Sequence, residues 1–130
     1  MFCVHKEADM MRWFRIMVLS GFIVFITGGC ASLAAVNKAS ETIKPSGIHE
    51  DCMELLPGQI LEYSFEASKP LNFNVHYHED HDVVYGITKD GVSGDKGTFR
   101  CEKKQYYCLM WTNPGSEPVS LTYSYTTKKK

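Results

Sequence analysis

The sequence predicts an all-β chain, a small antiparallel β-sandwich of jelly-roll-like form placed behind an N-terminal signal and lipid-anchor segment. Three observations carry the fold prediction. Apolar and polar residues alternate with period two in several stretches between Ile60 and Thr126, the pattern of half-buried strands. Proline, glycine, asparagine and aspartate punctuate those stretches, as turns between strands require. Beyond the N-terminal third, no segment spaces its apolar residues as a helix would. Short strands at this spacing pack as two antiparallel layers.

The N-terminal third comes first. Arg12 and Arg15 precede an uncharged run from Ile16 to Asn37. A basic start, an apolar stretch of roughly 11 residues and a patch of small residues make a secretory signal. The acidic MFCVHKEAD ahead of it fits that pattern poorly. It points to translation starting at Met10 or Met11, with Cys3 outside the protein. Ile26-Thr27-Gly28-Gly29-Cys30 resembles a bacterial lipobox, in which small residues precede a cysteine that is diacylated and becomes the new N-terminus. Thr27 stands where leucine is usual. An uncleaved anchor is one alternative, because about 20 uncharged residues span a bilayer, and plain secretion is another. Gly28, Gly29, Ser32 and the alanines at 31, 34 and 35 weaken the anchor reading. Residues 1–30 are thus expected to be a signal peptide ending in a lipidated Cys30 that holds the chain to the lipid bilayer. Ala31 after the cysteine, rather than aspartate, favours the outer membrane, facing the periplasm. All three readings place the remaining chain outside the cytoplasm.

Residues 31–49, ASLAAVNKASETIKPSGIH, are small and polar and predict a flexible tether. Residues 50–126 predict the sandwich, a size at which a covalent staple helps a thin core. In ILEYSFEA, Leu61, Tyr63 and Phe65 take one face. In LNFNVHYH, Leu71, Phe73, Val75 and Tyr77 face inward, and Asn72, Asn74, His76 and His78 outward. VVYGI continues as a strand after a His/acid cluster. QYYCLMWT is almost wholly apolar, which predicts a strand covered on both faces. VSLTYSYT alternates again, with Val119, Leu121, Tyr123 and Tyr125 inward. Leu56-Pro57-Gly58-Gln59 fits a type II turn, with proline presetting φ and glycine accepting φ > 0. Lys89-Asp90-Gly91 and Asn113-Pro114-Gly115 mark further turns.

Composition excludes some partners. The chain has 130 residues and net charge -1, with no basic excess for nucleic acid and no acidic excess for a cationic partner. Lys128, Lys129 and Lys130 read as a solvated end.

Two segments, DCMELLPGQILEYSFEAS and QYYCLMWTNPGSEPVSLTYSY, resemble the GOLD domain, the luminal β-sandwich of the p24 cargo-receptor family. That family has a cysteine before its first strand, a glycine turn, a Tyr-x-x-Cys-type strand ending in Asn, and a last alternating strand. The likeness spans roughly the sandwich region alone. The coiled coil, C-terminal membrane span and coat-binding tail of that family have no counterpart here, so the resemblance implies a fold and a disulfide, and not vesicle traffic. The disulfide it implies joins Cys52 to Cys108. Cys52, Cys101 and Cys108 remain once Cys30 is given to lipid, and in an oxidising compartment two of three should pair. The alternative is a local Cys101–Cys108 bridge across EKKQYY, since opposed residues in a hairpin approach closely enough. Closure of the longer loop stabilises by about 3 to 4 kcal/mol in the chain-entropy model. Without a Cys-x-x-Cys, a thioredoxin-like role has no support.

Between Asn72 and Ile87 the chain reads NFNVHYHEDHDVVYGI. His76 and His78 lie two apart on a strand, so both side chains leave one face. His81 and Asp82, beside Glu79 and Asp80, fall at the hairpin tip. Imidazole with carboxylate suits Cu²⁺ or Zn²⁺, and His76, His78, His81 and Asp82 are the candidate ligands. The competing reading is an ordinary polar hairpin with aspartate at its turn. Two templates fail: a cupin needs a further histidine after His81, and a cupredoxin needs one soon after Cys108. No nucleophile elbow or phosphate loop is present, so no enzyme is expected. The expected role is an envelope-anchored, non-catalytic binding module for a protein or small ligand, with a periplasmic Cu or Zn protein as the alternative.

Acylation of Cys30 is directly measurable. Mass spectrometry of the membrane fraction should find the diacylglyceryl group on that residue, and Cys30→Ser should release the chain from the membrane. An intact N-terminus at Met10 or Met11 would contradict the lipobox.

Overall fold

The computed structural model describes residues 34–129; the signal segment and Cys30 lie outside the described residues. Those described form six antiparallel strands: β1 (Asn37–Ile43), β2 (Ile48–Leu55), β3 (Ile60–Glu79), β4 (Asp82–Arg100), β5 (Gln105–Thr112) and β6 (Val119–Lys128). They contain no helix, and so none long and apolar enough to cross a membrane.

The long β3 makes a sandwich out of one continuous sheet. Its first half, Ile60–Ala67, lies between β6 and the end of β4. Its second half, Asn72–Tyr77, lies between β5 and the start of β4. Phe65 and Phe73 are eight residues apart, which is about 27 Å along an extended strand, yet their rings are 4.8 Å apart. The strand must fold back on itself. The pairing with β4 is interrupted between Glu66 and Leu71, where Pro70 has no N–H to give a ladder. Sheet one is therefore β1, β6 and the near halves of β3 and β4; sheet two is β2, β5 and the far halves.

Between them lies the core that alternation predicts. Leu61, Tyr63, Phe65, Leu71, Phe73, Val75, Val119, Leu121 and Tyr123 are buried, and Tyr77 and Tyr125 pack at its margin. Trp111 sits at the centre, in contact with Phe65, Phe73 and Tyr123. The turn at Leu56–Gln59 has the expected form: Gly58 has φ +84°, and Gln59 donates its N–H to the Leu56 carbonyl. Tyr63 lies across Gly97 on the paired strand. A Cβ on Gly97 would come within 2.7 Å of the Tyr63 hydroxyl, so only glycine leaves that ring its place.

Three expectations are corrected. Residues 37–49 are not a tether: β1 pairs with β6 from Asn37↔Tyr125 to Ile43↔Val119, and β2 has begun by Ile48. The sandwich thus starts at Asn37 rather than at residue 50. As an edge strand, β1 buries only Ile43 fully, so its composition is as polar as a linker's. Lys89-Asp90-Gly91 does not reverse the chain. It is the corner of β4 opposite the bend in β3, with Gly91 at φ +64° donating its N–H to Asn72 Oδ1. Finally, β5 is covered on its inner face by the core but only in part on its outer face, where Cys108 is buried and Tyr106 exposed.

Cys52 and Cys108 are joined, directly opposite one another on β2 and β5. Cys101 is a buried free thiol, raised above the usual thiol range by its burial. Its backbone exchanges hydrogen bonds with Gly58 and Gln59, and the alternative Cys101–Cys108 bridge is not formed.

Asn113 joins two loops. Its buried amide Nδ2 donates to the carbonyls of Ile43, Lys44 and Glu117, and its Oδ1 accepts from the Gly115 N–H. The β1–β2 turn is thereby tied to the β5–β6 loop. Asn113→Ala strands several of those groups, and its urea midpoint should report a loss of about 2–4 kcal/mol. Asn113→Asp should be no milder, because a carboxylate cannot donate to three carbonyls.

Candidate functional site

The outer face of sheet two collects the polar chemistry of the chain. Strand register sets its rows. Tyr85, His76, Cys108 and Cys52 face one another across β4, β3, β5 and β2. Beside that row lie Val83 and His78, continued by Tyr106 and Glu54. On its other side lie Asn74, Met110 and Glu50.

His76 and His78 do share this face, with ring centroids 5.1 Å apart. Their environments differ from one another, for His78 is exposed. His76 is only 3% exposed. Asn74 Oδ1 lies 2.8 Å from its Nδ1, and Glu50 Oε1 lies 3.1 Å from its Nε2. Two acceptors thus flank a ring that in its neutral form has a single N–H. Burial holds the imidazole below the usual histidine range, against the pull of Glu50 and with His78 adding to the lowering. Neutral His76 gives its proton to one neighbour and turns a lone pair to the other.

The predicted ligand set is not brought together. His81 and Asp82 are exposed at the β3–β4 tip, and Glu79 there is held by Lys103. Among the described residues, the set of three His, Cys or carboxylate donor atoms within 4.8 Å of one another is Glu50, His76 and Cys108. Only His76 belongs to both. Glu50 could not be read from the sequence as a neighbour of His76, because the pairing of β2 with β5, and of β5 with β3, creates the contact.

A second cluster lies on the inner face, across the open edge of the sandwich. Tyr123 of β6 donates to Asp51 Oδ2 at 2.9 Å and lies 3.0 Å from His49 Nε2. Tyr125 reaches Asp51 Oδ1 at 3.4 Å. Burial, and secondarily Asp51, raise both phenols above the ordinary tyrosine range, so they stay protonated donors. Sequence offered no signal here. In IHEDCMEL both alternating faces mix apolar and charged residues, so period two does not say which face is inward.

The cluster bridges the two sheets chiefly through the Tyr123 hydroxyl. Tyr123→Phe removes both of its bonds and should cost about 1–3 kcal/mol in urea unfolding. Tyr125→Phe gives up a longer, weaker bond and should cost less. Equal losses would show that Asp51 holds the two phenols alike.

No family model matches the chain, and no curated protein matches it in sequence. Solved structures do resemble its fold. PliG of Aeromonas hydrophila, a periplasmic lysozyme inhibitor of g-type lysozyme, is similar with a TM-score of 0.59 at 14% identity, over 73% of this chain and 88% of its own. The Yersinia pseudotuberculosis-derived mitogen is similar with a TM-score of 0.51 at 13% identity, over 75% and 88% of the two chains. At such identities the likeness is one of fold.

Proposed function

We propose that this chain is a non-catalytic binding module of the bacterial cell envelope, and that it takes a protein partner on the outer face of sheet two. One observation carries the reading. Among the described residues six large hydrophobic side chains are exposed, and four of them stand on this face: Ile48 (63%), Val83 (41%), Tyr85 (56%) and Tyr106 (63%). Grouped exposed apolar residues mark interaction surfaces, and tyrosine is enriched where protein interfaces concentrate their energy. The disulfide lies on the same face and ties β2 to β5, two of the strands that carry them, so little order is lost on docking.

The envelope address rests on the signal-like segment and lipobox-like Cys30, with the outer membrane as the proposed anchorage. The periplasmic setting of PliG, a protein of similar fold, is in keeping with it. That protein also suggests the partner class to try first, a lysozyme. The GOLD-like relationship is likewise a proposal, supported by the Cys52–Cys108 bridge and the two segments that resemble that family.

Purified g-type lysozyme provides the test, by calorimetric titration and by inhibition of cell-wall lysis. Stoichiometric binding is expected, weakened by about tenfold or more in Tyr85→Ala and Tyr106→Ala, as for interface anchors. Both side chains are more than half exposed, so stability should hardly change. Unaltered affinity in both variants would refute the face, and no binding by the unsubstituted chain would refute a g-type lysozyme as partner.

A further inference from the structure

The Cys52–Cys108 bridge lies against a histidine and a carboxylate whose positions serve a second chemistry. We propose that Cys52, Cys108, His76 and Glu50 form a redox-gated site for a thiophilic divalent cation such as Zn²⁺, closed while the disulfide stands and opened when a dithiol reductant breaks it. The inference does not depend on the partner reading above, and it shares only His76 with the ligand set that the sequence predicts.

Geometry carries it. The Glu50 oxygen, the His76 nitrogen and the Cys108 sulfur lie within 4.8 Å of one another. Cys52 contributes a fourth donor, its sulfur bonded to that of Cys108 while the disulfide stands. A tetrahedral zinc lies about 2.1 Å from nitrogen and oxygen ligands, which sets those ligands about 3.4 Å apart. His76 Nε2 and Glu50 Oε1 are already 3.1 Å apart. A metal-binding histidine is usually oriented by a hydrogen bond at its other nitrogen, and Asn74 Oδ1 stands 2.8 Å from Nδ1 to provide it. With that proton given to Asn74, Nε2 turns its lone pair to the Glu50 carboxylate, and the two must part by a few tenths of an ångström to share a zinc ion. Two thiolates, one imidazole and one carboxylate make a soft, closed donor set of the kind that suits zinc.

The bridge is what excludes the metal. A disulfide sulfur has no thiolate to offer. Cys52 is exposed on β2, within reach of an attacking thiolate. In that exchange the S–S bond takes two electrons and two protons from the dithiol, which leaves as its own disulfide. Cys52 and Cys108 then lose both protons as they bind M²⁺, while His76 binds neutral and Glu50 ionised. Register holds the two cysteines opposite one another throughout, so the sulfurs need only turn apart about their side-chain bonds.

Zn²⁺ alone, in competition with a chromophoric chelator, tests the proposal on the full chain bearing Cys30→Ser. One equivalent should bind after reduction with a phosphine, at least about 100-fold more tightly than to the oxidised protein. Co²⁺ in its place should show thiolate-to-metal charge transfer. His76→Ala and Glu50→Gln should each weaken reduced-state binding by about tenfold or more. Equal affinity in the two redox states would overturn the proposal. So would reduced-state binding that survives in the Cys52→Ser/Cys108→Ser double variant, or a cobalt spectrum without the thiolate band. If reduction unfolds the chain, near-ultraviolet circular dichroism decides: recovery on adding Zn²⁺ supports the site, and no recovery refutes it.

Discussion

The fold-back of β3 is the constraint on which the rest depends. One strand supplies the central ladder of both sheets, because its halves pair with β6 on one side of the bend and with β5 on the other. The bend brings Tyr63 and Phe65 onto Phe73, and Trp111 and Tyr123 complete the packed aromatic group. A chain of this size cannot bury a deep core. It compensates by concentrating large aromatic side chains at the place where the two layers meet.

The same bend defines what lies outside. Alternation on the second half of β3 sends Leu71, Phe73 and Val75 inward, so Asn74, His76 and His78 must leave by the other face. Among the described residues, no layer covers that face. Its polar centre is instead enclosed by neighbours from three strands, with Glu50 on β2, the disulfide on β2 and β5, and Tyr85 on β4. His76 is therefore buried although it points away from the core. Two consequences share this one arrangement: a rigid floor, and a histidine whose protons fall short of its acceptors.

Closure of the open edge is a separate matter. The outermost strands β1 and β2 are consecutive in the chain but pair with β6 and β5, at opposite ends of the strand order. What draws them together is polar: Asn113 across the loops, and the Asp51–Tyr123–His49 bonds between the layers. Polar closure of this kind is directional, and each bond constrains a specific pair of strands.

Much of the fold was legible from residue order, because period-two alternation is a local property. Leu61, Tyr63, Phe65, Leu71, Phe73, Val75, Val119 and Leu121 could be assigned to one interior from spacing alone, and Pro57-Gly58 could be assigned to a turn. β1 and the second half of β4 escaped that reading for different reasons. β1 is an edge whose side chains mostly meet water, so its composition matches a linker. β4 runs through DGVSGDKG, where Gly97 makes room for Tyr63 and the glycines leave no apolar rhythm. The candidate site was legible only in part. That His76 and His78 share a face follows from their spacing, but the burial of His76, its contact with Glu50 and the dispersal of His81 and Asp82 do not. Those depend on which strand lies beside which, and strand neighbours are chosen by the folded whole: residues more than twenty positions apart meet only once β3 has bent and β2 has docked on β5.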